Sequence, residues 1–198
     1  MEKNRIANRC HLLVVGGSAG SLDVIIQLLS GLRDDLPFPV VIVLHRRNDP
    51  DSMLSELFSA KTHHPVKEAD EKEALLPGHI YIAPADYHLL IEKNKTLSLD
   101  FSEKVNYSRP SIDVTFETAA EAYGTGTVCL LLSGASSDGT DGLKAVKANG
   151  GTVIVQDPAD AEVEYMPKQA IAGVTVDYIV NADQMAQLIN SFSTPDII

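Results

Sequence analysis

Three side chains in this sequence have the types that acyl transfer requires: Ser18 within "LLVVGGSAGSLDVI" (12–25), His45 closing "FPVVIVLH" (38–45), and Asp138 within "SGASSDGTDG" (133–142). A serine hydroxyl is a poor nucleophile until an imidazole takes its proton. An imidazole titrates near neutrality, so it can accept that proton and later return it. A carboxylate fixes the imidazole tautomer and stabilises the imidazolium. Residues 16–20, "GGSAG", also fit the G-x-S-x-G pattern, whose glycines permit a sharp strand-to-helix turn that exposes the hydroxyl. A helix starting beyond it would offer free N–H groups and a positive dipole end to a developing oxyanion.

Taken singly, each residue also has a structural account. Ser18 suits a turn or helix cap, His45 a hydrogen-bonded strand end, and Asp138 the Asp-Gly turn it forms with Gly139. A phosphate cradle fits less well. Ser18 stands where a dinucleotide fingerprint needs its second glycine, the second strand ends in His45 instead of an acid, and no Walker lysine is present.

The elements around these residues supply the reason to group them. Buried strands are predicted at "HLLVVG" (11–16), 38–45, "GTVCLLLSG" (126–134), "TVIVQ" (152–156) and "VDYIV" (176–180). Helices are predicted at 21–32, at 49–60 with Asp49 or Asp51 as cap, at 111–123, at 141–151 ending in a glycine stop, at 166–173 and at 182–192. In the middle, "PVKEA", "HIYIAP", "HLLIEKN" and "TLSLDF" are short, partly alternating segments, which suggest a hairpin or antiparallel excursion. The fold class expected is α/β: a doubly wound, mostly parallel sheet with helices on both faces and an antiparallel hairpin. Such a sheet carries every strand's C-terminal end on one edge, where ligands bind. Ser18, His45 and Asp138 all fall on that edge.

Bulk properties narrow the partners. A chain of 198 residues suits one domain with a sizeable core, and no apolar stretch approaches the roughly 20 residues of a membrane span. The net charge of −11 argues against nucleic acid or an anionic membrane as main partner. Cys10 and Cys129 adjoin apolar runs and read as buried free thiols of a cytoplasmic protein. His63, His64, His79 and His88 lack compact metal spacing and read as surface histidines. The segment "DPADAEVEYMP" (157–167) follows a strand, so it either walls a substrate groove or forms a solvated loop.

With these residues in view, the chain resembles the catalytic domain of the chemotaxis protein-glutamate methylesterases, the CheB family. The segments that carry the resemblance are "VVGGSAGS" (14–21), "LPGHIYIAPADYH" (76–88), "RPSIDVTF" (109–116), "LLSGASSDGTDGL" (131–143) and "MPKQAI" (166–171). The resemblance implies Ser18 as nucleophile, His45 as base, Asp138 as orienting acid, and the backbone N–H of Ala135 in the oxyanion hole. It implies hydrolysis of glutamate γ-methyl esters on the cytoplasmic helical region of chemoreceptors, with methanol released and deamidation of glutamines as a second activity. No metal or organic cofactor is implied. The alternative is a non-catalytic binding module that keeps the esterase fold.

Several positions depart from the family pattern: Ala19 replaces the usual threonine, Arg46 and Arg47 follow the histidine, and Ser108 precedes the "RPS" segment where a histidine is common. Arg46 and Arg47 read either as contacts for acidic receptor helices or as a solvated loop, the latter preferred, while Arg109 either faces the site or anchors its segment. About ten residues precede the first strand, so the sequence is either a fragment or lacks the family's receiver domain; Met1 and the absence of a linker lead to the expectation of a stand-alone catalytic domain spanning 1–198.

Overall fold

Continuous Val/Ile/Leu runs need apolar cover on both faces, and each such run here is followed by a segment that returns the chain to the start of the next. The computed structural model describes residues 9–46 and 53–192. Its strands are β1 (Leu12–Gly17), β2 (Val40–Leu44), β3 (Val66–Glu68), β4 (Ile80–Ile82), β5 (His88–Ile91), β6 (Leu97–Asp100), β7 (Thr127–Leu131), β8 (Thr152–Gln156) and β9 (Tyr178–Val180). Its helices are α1 (Leu22–Ser30), α2 (Leu54–Ser59), α3 (Ile112–Tyr123), α4 (Thr140–Ala148), α5 (Tyr165–Gly173) and α6 (Ala182–Asn190).

Seven strands form one parallel sheet in the order β3-β4-β2-β1-β7-β8-β9. β1 therefore lies where the chain reverses its direction of travel across the sheet. It pairs with β2 up to Gly17↔Leu44 and with β7 up to Gly16↔Leu131. The crevice beyond such a switch point is the expected ligand site of a doubly wound fold. Alternate residues of β1 feed two cores. Leu13 and Val15 pack with Ile25, Leu28 and Met185 on the α1/α6 side, while Leu12 and Val14 pack with Ile112, Phe116 and Leu143 on the α3/α4 side.

The expected excursion is smaller than its sequence pattern suggests. Among the named strands of the described residues, β5 and β6 alone pair antiparallel, as a separate two-stranded ribbon. β4 joins β2 in parallel and β3 covers β4 as the sheet's edge. The physical reason is burial: Ile80, Tyr81 and Ile82 are all buried, so this run is an interior strand and not one half of a solvated hairpin. Helix α2 begins at Leu54, and the expected caps Asp49 and Asp51 lie outside the described residues. Cys10 and Cys129 are buried free thiols, as read from their apolar neighbours.

Candidate active site

Ser18 sits in the connection between β1 and α1, with its main chain pinned from both sides. Its N–H donates to the Ser133 carbonyl (2.9 Å), and its carbonyl accepts from the Ser21 N–H (3.1 Å) and hydroxyl (2.6 Å). Gly20 turns the chain with φ +77°, a conformation disfavoured for other residues, and a Cβ there would also strike Glu162. Gly16 serves a different purpose: a Cβ on it would come within 2.5 Å of Ile112, so its absence lets the start of α3 press against β1. These constraints hold the Ser18 backbone and leave its half-buried side chain free. Among the described residues the hydroxyl makes no hydrogen bond.

His45 stands one position beyond the Gly17↔Leu44 pair, its N–H donating to the Gly17 carbonyl (3.2 Å). It is thus the lateral neighbour of Ser18 across adjacent strand ends. Its Nε2 lies 2.6 Å from Asp138 Oδ2. An ionised carboxylate only accepts, so Nε2 carries the hydrogen and Nδ1 keeps the lone pair. In chymotrypsin-type triads the carboxylate instead accepts a hydrogen bond from Nδ1–H. Here the ring is held by its far nitrogen, which leaves Nδ1 of the neutral ring with its lone pair.

Asp138 is fully buried at the turn into α4. Besides His45, its oxygens accept from the Ile112 N–H (2.7 Å), the Asp113 N–H (3.2 Å), the Ser111 hydroxyl (2.8 Å) and the Asn106 amide (3.1 Å). Asp138 therefore caps α3 from another part of the chain, and that helix's positive end favours its charge. Burial by itself would raise its pKa. The bonds from His45, Ile112 and Asn106 outweigh burial and hold the carboxyl below the ordinary range.

The sequence did not reveal the layer behind this pair. Asp113, also buried, accepts from the Gly142 N–H (2.6 Å) and from the same Asn106 amide (2.7 Å). Its pKa is raised, first by burial and then by the nearby charges of Asp138 and Asp141, against the lowering effect of the Gly142 bond. Asn106 and Tyr107 both have positive φ (49° and 63°) and form the tip of a two-residue turn closed by Val105 and Ser108. His88, read from sequence as a surface histidine, is buried: Nδ1 accepts from the Ser111 N–H (3.1 Å) and Nε2 donates to the Glu103 carbonyl (2.9 Å). It fixes the residue that supports Asp138. His64 likewise is buried, its ring nitrogens 3.0 Å from the carbonyls of Gly78 and Arg33. Both corrections have one cause: each ring finds backbone partners that bring it inside.

The Ala135 N–H has no acceptor among the described residues, whereas the preceding Gly134 N–H is spent on the Val163 carbonyl (3.1 Å). A Cβ on Gly134 would lie 3.0 Å from that of Ser18, so Ala135 adjoins the nucleophile loop. The 157–167 segment is tied to the same place, since the Val163 N–H donates to Ser133 Oγ (2.9 Å), which donates to the Ala19 carbonyl (2.8 Å). Arg46, for which a solvated loop was preferred, is largely buried and pairs with Glu68. Its Nη2 donates to the Ala83 carbonyl (3.3 Å) as well as to Glu68, and these partners draw the guanidinium in from solvent. Arg47 lies outside the described residues. Beside His45 opens a cavity of about 500 Å³ lined also by Arg46, Asp86, Lys104, Tyr107 and Arg109.

Known proteins resemble this chain in sequence and in fold. A family described as CheB methylesterase matches residues 13–189. A protein from Leptospira interrogans named putative protein-glutamate methylesterase/protein-glutamine glutaminase is 44% identical over 176 residues, 89% of this chain and 91% of its own length. A protein-glutamate methylesterase/protein-glutamine glutaminase from Thermotoga maritima is 35% identical over 174 residues, 86% of this chain but only 51% of that relative. The crystal structure of the Thermotoga maritima CheB methylesterase catalytic domain superposes with TM-score 0.87 at 34% identity, covering 91% of this chain and 97% of that one.

Proposed function

Because the chain belongs to the CheB methylesterase family, we propose that it is a protein-glutamate methylesterase whose nucleophile is Ser18, with His45 as base and Asp138 as orienting acid. The observation that carries this reading is the 2.6 Å contact between His45 and a buried carboxylate, at the strand end next to Ser18. Capping α3 would serve a non-catalytic module as well, but that role needs no imidazole bonded to the carboxylate at the strand end beside Ser18.

In the forward step the Ser18 oxygen adds to the ester γ-carbonyl as its proton passes to His45 Nδ1. The free N–H of Ala135 is suited to receive the oxyanion. Collapse expels methanol, which takes the proton from the imidazolium and leaves an acyl-serine. Water then attacks the acyl-serine with His45 again as base, the Ser18 hydroxyl is restored, and the receptor's glutamate carboxylate leaves. A glutamine side chain enters the same sequence with ammonia as leaving group, which accounts for the double name of the relatives. The substrate we infer is the cytoplasmic helical region of chemoreceptors, and the cytoplasm is the place of action. No helix among the described residues is long and apolar enough to cross a membrane.

The test is methanol release from a methyl-labelled receptor fragment. The intact chain should release methanol and the Ser18→Ala chain should release none above background. Equal release by both would overturn the assignment.

A further inference from the structure

The cavity beside His45 has a charge pattern opposite to that of the whole chain. The sequence carries −11, yet Arg46, Lys104 and Arg109 line this cavity against a single acid, Asp86. Arg46 is already committed to Glu68 and the Ala83 carbonyl. Arg109 is not neutralised. Its guanidinium lies 3.9 Å over the Phe101 ring, and Nη1 donates to the carbonyls of Phe101 (3.2 Å) and Ser102 (2.7 Å). Among the described residues its buried Nε has no partner, and no carboxylate pairs with it. Asp100, whose ionisation feels the Arg109 charge after its stronger bond to Ser102, turns both oxygens to Ser102 (3.1 and 2.6 Å). Lys104 is exposed and likewise in no ion pair among the described residues.

A guanidinium fixed by two carbonyls and an aromatic face loses little freedom on binding, and its planar fork matches a carboxylate. Ion pairing is also stronger in a recessed site than on open surface. Resting on the function proposed above, we propose that Arg109, assisted by Lys104, is a carboxylate subsite that selects esters flanked by a free acidic side chain one turn away on the same substrate helix. Residues one turn apart present their side chains together, about 5–6 Å between Cβ atoms. A neighbouring methyl ester is neutral and leaves Arg109 uncompensated. Hydrolysis of one ester then creates the carboxylate that favours the next.

Two helical peptides test this, each with one glutamate γ-methyl ester and, one turn away, either Glu or Gln. With the intact chain at low salt, KM for methanol release should be about 10-fold lower for the Glu peptide. The preference should shrink with added salt, collapse towards equality in Arg109→Gln, and survive in part in Arg109→Lys. Equal KM values for the two peptides in the intact chain, or a preference that persists in Arg109→Gln, would overturn the subsite. Peptide binding to the Ser18→Ala chain, read by fluorescence anisotropy, reports the same preference without turnover. Methanol release with equal KM values therefore condemns the subsite alone, and absent turnover with preferential binding condemns the esterase reading alone.

Discussion

The two sides of the catalytic crevice are built to opposite specifications. On the β7 side, Asp138 is sealed from solvent and fixed by five donors: the His45 ring, two N–H groups of α3, the Ser111 hydroxyl and the Asn106 amide. On the β1 side, the Ser18 main chain is tied down but its hydroxyl has no partner among the described residues. The charge-bearing half of the site is organised in advance, where reorganisation would cost most in a dry interior. Ser18, the proposed nucleophile, is neutral and small, and its rotamer is left to be set when a carbonyl arrives. Rigidity has been placed where charge must be stabilised.

Substitutions can break this contrast. The largest expected effect on turnover, after loss of the nucleophile itself, is from Asp138→Asn. The amide cannot hold the same tautomer of His45, and kcat should fall by about 10³–10⁴. Stability should separate the two sides as well. Asp138→Ala strands the α3 N–H groups, and a loss of about 2–4 kcal/mol is expected in denaturant titration. Ser18→Ala should change stability by less than about 0.5 kcal/mol by the same measurement. Similar losses for the two would erase the distinction.

A smaller effect is expected from Asn106. Asn106→Gly keeps the positive φ of the turn and removes the amide shared by Asp138 and Asp113, so kcat should drop about 10-fold with the fold retained. An unchanged kcat would remove Asn106 from the support of the carboxylate.

A further contrast concerns pH. Asp138 has a folded pKa below its unfolded value, so its stabilisation is present above the ordinary carboxylate range and is lost as pH falls through the folded value. Asp113 is the reverse. Its folded pKa is raised, so between the ordinary range and the raised value the native state holds more protons, and stability declines as pH rises. Asp113→Asn should remove that decline, which is at most about 1.4 kcal/mol per pH unit, from unfolding curves compared at pH 5 and pH 8. An identical slope in the variant would contradict the assignment.

Much of this was legible in the chain. Continuous apolar runs such as "TVIVQ" read directly as parallel strands, and β8 matches that segment residue for residue. Ser18, His45 and Asp138 could be collected because fold class alone puts strand C-terminal ends on one edge. The supporting layer was hidden because its bonds link residues far apart in sequence, such as Asn106 with Asp138 and His88 with Ser111. One signal was available. Asn in the "VNYS" turn is a residue type that tolerates positive φ, and Asn106 adopts it. For β4 the error was reading a short run between turn residues as half of a hairpin, when its three buried residues belong to the sheet interior.

The central claim is that a preformed imidazole–carboxylate pair activates the Ser18 hydroxyl. Its most direct measurement is the rate at which a fluorophosphonate probe modifies the folded chain, with the modified residue located by mass spectrometry. Modification at Ser18, abolished by His45→Ala and slowed by orders of magnitude in Asp138→Asn, is the predicted result. A Ser18 that reacts equally fast in all three proteins, or never reacts in the intact one, would contradict it.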